Sequence, residues 1–143
     1  MTAGVVAALA GGVFAGAAIY ISLVEHPARL ACGTAIALTE FRPSYRRAAV
    51  MQASLAAVGA LAALLAWWSS ARPGWLVGGL LLAGVIPFTL LVVLPTNKRL
   101  LDETLDAGSN EAARLLARWG RLHGVRTVAS TGAFSLFVLL VSS

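Results

Sequence analysis

Residues 75–96 read WLVGGLLLAGVIPFTLLVVLPT, a run without a single Asp, Glu, Lys or Arg. A bilayer core of about 30 Å is crossed by about 20 apolar helical residues, so this run is long enough to span one. Residues 3–24 and 48–68 repeat the pattern, and a fourth span over 122–141 is free of charge after Arg126. A charge at mid-bilayer costs about 2.5–3.5 kcal/mol on insertion scales, which is why four such runs point to lipid as the solvent. A soluble all-α chain would need nearly every helix to be apolar all round. With 59% hydrophobic and 12% charged residues among 143, the composition agrees. The expectation is an all-α integral membrane four-helix bundle, one transmembrane domain over 1–143, with helices near 3–24, 48–68, 75–96 and 122–141.

Work outward from these spans and the charges set the topology. Arg29, Arg42, Arg46 and Arg47 lie between the first two spans; Lys98, Arg99, Arg114, Arg118 and Arg121 lie between the last two; only Arg72 lies in the middle turn. The positive-inside rule puts both long connectors in the cytoplasm and the N- and C-termini on the outer side of a cell membrane, multi-pass. Trp67, Trp68 and Trp75 flank the outer turn as an aromatic belt would. A net charge of +5 invites a nucleic-acid reading, but the basic residues flank spans and form no base-reading motif. The first span reads as a mature helix, since no Lys or Arg precedes it and Glu25-His26-Pro27 is no small-residue cleavage site. Cys32, the only cysteine, reads as structural filler.

The chain forms two hairpins, and His26-Pro27-Ala28-Arg29-Leu30 after the first span is echoed by Leu94-Pro95-Thr96-Asn97-Lys98-Arg99-Leu100 after the third. Ala31 to Leu38 reads as either a short interfacial helix or a re-entrant piece. Leu100 to Ala107 reads as an extension of the third helix, with Asp102, Glu103 and Asp106 solvated and given no catalytic role. Gly108-Ser109-Asn110-Glu111 reads as a helix stop followed by an N-cap, so the last helix starts near Asn110. Pro87 removes a backbone hydrogen bond in mid-span and is expected to bend the third helix. The small-xxx-small runs Gly12–Gly16 and Gly74–Gly78 suit close helix packing within the bundle, with a homo-oligomer face as the alternative.

The informative polar residues gather at one end. Glu25 and His26 end the first span, Tyr45 and Gln52 enter the second, Asn97 ends the third, and Trp119, His123 and Arg126 enter the fourth. Trp119, His123, Arg126 or Thr127, and Ser130 recur at three- and four-residue intervals, so they share a helical face; Ser22 and His26 do likewise. Taken singly, Arg126 could snorkel to headgroups and His123 could sit at the interface. Taken together on several helices at one depth, they make a polar pocket the stronger reading.

Glu25-His26-Pro27-Ala28, Phe41-Arg42-Pro43-Ser44-Tyr45 with Arg47 and Gln52, Leu94-Pro95-Thr96-Asn97, and Trp119-Gly120-Arg121-Leu122-His123-Gly124-Val125-Arg126 together resemble the anthrone oxygenase-like family of small membrane proteins. The resemblance covers nearly the whole chain and implies a membrane oxidoreductase that oxidises a lipophilic, anthrone-like aromatic with dioxygen. It implies a catalytic set of His123, His26, Arg126 and Asn97: either histidine as general base, with Arg126 and Asn97 steadying the developing oxyanion. Trp119, Tyr45 and Gln52 would bind the substrate. Cofactor-free chemistry is favoured. A metal reading stands beside it, with Glu25, His26 and His123 as a two-His-one-carboxylate set for iron, or a copper site, and bis-histidine haem ligation as a variant. The alternative from another class is a non-enzymatic membrane protein that binds a quinone, haem, metal or lipid, or a small subunit of a larger complex. A transporter reading is weaker, since the spans lack paired acidic residues. The partners expected are the lipid bilayer and a hydrophobic small molecule, with no nucleic acid.

Overall fold

The computed structural model describes residues 2–143. Four helices run Thr2–Ala31 (α1), Thr34–Ser70 (α2), Pro73–Leu101 (α3) and Asn110–Val141 (α4), each long and apolar enough to cross a membrane, and no strand occurs among the described residues. Each helix packs on its two sequence neighbours and α1 also packs on α4, which closes an up-down-up-down square with little contact across the diagonals. Thr2, Ser143 and the Ala71–Arg72 turn therefore lie at one end, where the Arg72 guanidinium donates to the Leu140 carbonyl at 3.0 Å. The 32–33 and 102–109 connectors lie at the other.

Size is distributed as lipid requires. The interior of the terminal half is made of Ala7, Ala18, Ala56, Ala62, Ala63, Ala66 and Ala133 around Phe14, Trp75, Leu82 and Phe137, whereas Leu9, Leu61, Leu65, Leu91 and Leu139 face outward. Lipid tails are as apolar as leucine, so helices gain from close backbone approach over small residues rather than from hiding large ones. Glycines on α1 and α3 serve this approach to α4. A Cβ at Gly12 would come within 2.8 Å of the Phe134 ring, and one at Gly78 within 2.4 Å of Phe137, which is fully buried and stacked on Trp75 at 5.7 Å. Gly16 meets nothing within 4 Å. Gly78→Ala is accordingly expected to destabilise the bundle by about 1–3 kcal/mol, the cost of overpacking a filled interior. Thermal unfolding in detergent checks this, and an unchanged midpoint would show that Phe137 can move aside.

Both α1 and α3 contain a π turn, at Ile21–Glu25 and Thr89–Val93, each followed two residues later by proline. The cause is local: Pro27 and Pro95 have no N–H to offer the preceding turn, and the neighbouring amides of His26 and Leu94 reach five residues back, to the Ile21 and Thr89 carbonyls. The echo seen between the two spans is thus repeated in backbone geometry.

Two sequence expectations are corrected. Residues 34–38 are the first turns of α2, neither a separate interfacial helix nor a re-entrant piece, and α2 continues through Pro43. Ala37, Leu38 and Phe41 hold it there by packing into a second apolar cluster with Leu100, Leu105, Leu116 and Trp119. Gly33, at φ +92°, makes the tight turn into α2 that a side chain would strain. The third helix ends at Leu101 and does not run to Ala107. There Arg42 takes the Leu100 and Asp102 carbonyls at 3.1 and 2.8 Å. Asp102 instead folds the connector by accepting from the hydroxyl and amide of Thr104, and these bonds, the hydroxyl first, hold its carboxyl below the ordinary range. Ser109 caps α4 by accepting from the Ala112 amide at 3.1 Å, and the helix starts at Asn110 as expected.

Candidate functional site

Between the alanine-rich half and the second apolar cluster lies a layer of buried polar side chains: His26, Arg29, Gln52, Thr96, Asn97, His123, Arg126 and Ser130. Their depth follows from helical spacing on α4, where Trp119, His123, Arg126 and Ser130 all fall on the buried face. A narrow crevice of about 20 Å³, room for about one water, opens among Trp119, His123 and Arg126 of α4, Tyr45 and Gln52 of α2, and Glu25 of α1. A second, mostly apolar cleft of about 210 Å³ lies between α2 and α3 beside the Thr89–Val93 π turn, lined by Phe14, Val85, Ile86, Leu90 and Leu94. The two share Tyr45, Ala49, Gln52 and Arg126 as a common wall. The cleft approaches the about 300–1,000 Å³ usual for small-molecule sites, and the crevice is its narrow polar side arm.

One side of the crevice is aromatic. Trp119 stacks on His123 at 4.8 Å, Phe41 meets Trp119 edge-on at 5.0 Å, and Tyr45 stacks on Phe41 at 5.4 Å. The other side is charged. The Arg126 guanidinium, 7% exposed, donates to Gln52 Oε1 at 2.7 Å and lies 5.8 Å from the Phe14 ring centre. Among the described residues it forms no ion pair, whereas Arg29 is held by Glu25 and Glu40. Buried polar atoms are almost always satisfied, yet Gln52 Nε2, Trp119 Nε1, His123 Nε2 and Arg126 Nε have no partner among the described residues. All four belong to side chains that line the crevice.

His123 Nδ1 is occupied: Ser22 Oγ of α1 lies 3.1 Å from it, and Ser22 Oγ lies 2.8 Å from Thr127 Oγ1. The π turn of α1 carries Ser22 to this point.

The expected residues are partly brought together. Tyr45, Gln52, Trp119, His123, Arg126 and Glu25 share the crevice; His26 and Asn97 do not line it. His26 lies on the far side of Trp119, 5.1 Å from it, and lines another cavity with Ser22 and Gly120 that Trp119 and His123 also border. Its Nε2 donates to the Leu116 carbonyl at 3.0 Å, an approach that Gly120 permits, since a Cβ there would come within 2.7 Å of that nitrogen. Asn97 Nδ2 donates to the Tyr45 hydroxyl at 2.7 Å and so fixes a wall residue from behind. Glu25, His26 and His123 do not converge as a metal set, and no group of three His, Cys, Asp or Glu side chains that could hold an ion occurs among the described residues. Glu25 is turned to Arg29 and Ser44.

Arg29, Phe41 and Ser44 also line the crevice and were missed. The one signal for Arg29 was its place four residues after Glu25, and that spacing reads equally as a surface pair.

Residues 41–136, about two thirds of the chain, match the family model described as anthrone oxygenase. The match takes in Tyr45, Gln52, Asn97, Trp119, His123 and Arg126 and leaves out Ser22, Glu25, His26 and Arg29. No curated protein and no solved structure matches. The matched segment carries most of α2, all of α3 and most of α4, and on that ground the chain belongs to the anthrone oxygenase family.

Proposed function

We propose that the protein is a membrane-embedded oxygenase that converts an anthrone-like aromatic to the corresponding quinone at the loop end of the bundle, with that end facing the cytoplasm. The observation that carries this reading is Arg126, a buried guanidinium with no carboxylate, on the wall common to the crevice and the apolar cleft. A buried cation without a counter-charge favours a ligand that brings or develops negative charge. The cleft beside it is apolar and suits a flat ring system arriving from lipid.

The chemistry is balanced without a further reactant. An anthrone carries a CH₂ next to its rings and a carbonyl across from it; loss of one C–H proton gives an enolate whose charge rests on the carbonyl oxygen. Imidazole is the natural base near neutral pH, and His123 lines the crevice with Nε2 unpartnered. Arg126, oriented by Gln52, stabilises the enolate oxygen in a site shielded from water. Dioxygen then takes electrons from the enolate and bonds to the same carbon; the O–O bond breaks with loss of the second hydrogen. One oxygen atom becomes the new carbonyl, and the other leaves as water with the two hydrogens. His26 and Asn97 support this site without lining it, through Trp119 and Tyr45 respectively.

Purified protein in lipid nanodiscs is expected to consume one dioxygen per anthrone and to yield the anthraquinone, followed by its visible absorption and an oxygen electrode. Anthrone turnover no faster than in empty nanodiscs would overturn the reading. Quinone binding without oxygen uptake would replace it with a carrier or binding role.

A further inference from the structure

We infer that Ser22, backed by Thr127, is a positioning residue that holds neutral His123 in the tautomer protonated on Nδ1, so that the free lone pair is on Nε2. His123 Nδ1 lies 3.1 Å from Ser22 Oγ, Ser22 Oγ lies 2.8 Å from Thr127 Oγ1, and Thr127 Oγ1 lies 3.1 Å from the His123 carbonyl and 3.2 Å from the Ala18 carbonyl. A carbonyl only accepts. With the Thr127 proton given to one of those carbonyls, the Ser22 proton goes to Thr127, and the remaining contact is served when Nδ1–H donates to Ser22. The three protons then serve three of the four contacts, and one carbonyl goes without the threonine proton.

Run the chain the other way and it fails at the imidazole. Ser22 would donate to Nδ1 and Thr127 to Ser22, leaving both carbonyls without the threonine proton. The imidazole N–H would then sit on Nε2, buried and without a protein acceptor. Orphaned buried N–H groups are rarer than under-used acceptors, so the first direction prevails. His26 is the counterpart. Its Nε2 faces the Leu116 carbonyl at 3.0 Å, so it must carry the proton there, and the two histidines of the chain are in opposite tautomers.

The inference rests on the proposed oxygenase reading only for the use made of the Nε2 lone pair; the tautomer is a property of the chain itself. A hydroxyl relay that orients an imidazole from behind does what a carboxylate does in hydrolase triads, without adding a charge to the membrane interior.

The test is ring-¹⁵N spectroscopy of histidine-labelled full-length protein in nanodiscs, with His26→Gln and His123→Gln used to assign the two imidazoles. His123 is expected to show a protonated, pyrrole-type Nδ1 and a pyridine-type Nε2, with His26 the reverse. Ser22→Ala is expected to move the His123 proton to Nε2 in a large fraction of molecules. Its kcat for anthrone should fall about ten-fold or more with KM little changed, as when an outer partner of an active imidazole is lost. Ser22→Thr restores the hydroxyl at a half-buried position and is expected to keep the wild-type pattern and most of the rate. Protonation on Nε2 in the wild type, or an unchanged pattern in Ser22→Ala, would overturn the inference. A reversed pattern in a protein that still oxidises anthrone would overturn this inference alone. The expected pattern in a protein that turns over no anthrone would uphold it while removing the oxygenase reading.

Discussion

Exchange of His123 for glutamine is expected to lower kcat for anthrone oxidation about 10²- to 10⁴-fold, the range that a positioned general base contributes. Glutamine nearly fills the space and keeps polar contact across the α1–α4 seam, but it cannot take the proton from the substrate. Because the imidazole is 2% exposed and stacked on Trp119, the variant also tests whether the loss is chemical or structural. Far-ultraviolet circular dichroism and the thermal midpoint in detergent should stay near wild type while oxygen uptake falls. A variant that retains more than about a tenth of the rate would remove His123 from the base role.

The second large effect concerns Arg126. Arg126→Leu is expected to reduce kcat/KM for anthrone about 10²- to 10³-fold, the loss seen when one donor to a developing oxyanion is removed. Its effect on stability should run the other way. An unpaired buried guanidinium is expensive to hold out of water, so leucine in its place is expected to leave the thermal midpoint unchanged or raise it, less the cost of stranding Gln52. Arg126→Lys is expected to recover little, since an ammonium lacks the planar fork that serves Gln52 and an oxyanion together. Steady-state rates and unfolding scans on the same preparations decide the matter. A midpoint lowered in step with the rate would make Arg126 a structural residue.

These two residues were legible in the sequence because both lie on one helix, where a 3.6-residue period tells which positions share a face. The four spans were legible for a related reason: an unbroken apolar run needs only its length to be read. What could not be read was rotation between helices. Ser22 and His123 are far apart in the chain, and nothing in their local spacing brings them to 3.1 Å. The π turns deepen the difficulty, since each extra residue turns everything after it by about 100° relative to a regular helix. Arg29 follows such a turn, and Asn97 follows the other, which is why their facing escaped a helical count. Helix α2 through Pro43 escaped for a different reason: packing of Ala37, Leu38 and Phe41 overrides a residue that locally disfavours helix.

The cleft between α2 and α3 bears on how the protein would be fed. Its lining includes Leu90, more than half exposed on the side that meets lipid. Dioxygen dissolves better in hydrocarbon than in water, and a tricyclic anthrone does so far more strongly. Both reactants would then reach the site from within the membrane, at concentrations governed by partition. Rates would scale with the mole fraction of substrate among lipids and fall on dilution with inert phospholipid, even at constant total substrate. Cell physiology would control such a catalyst through the composition of the membrane around it.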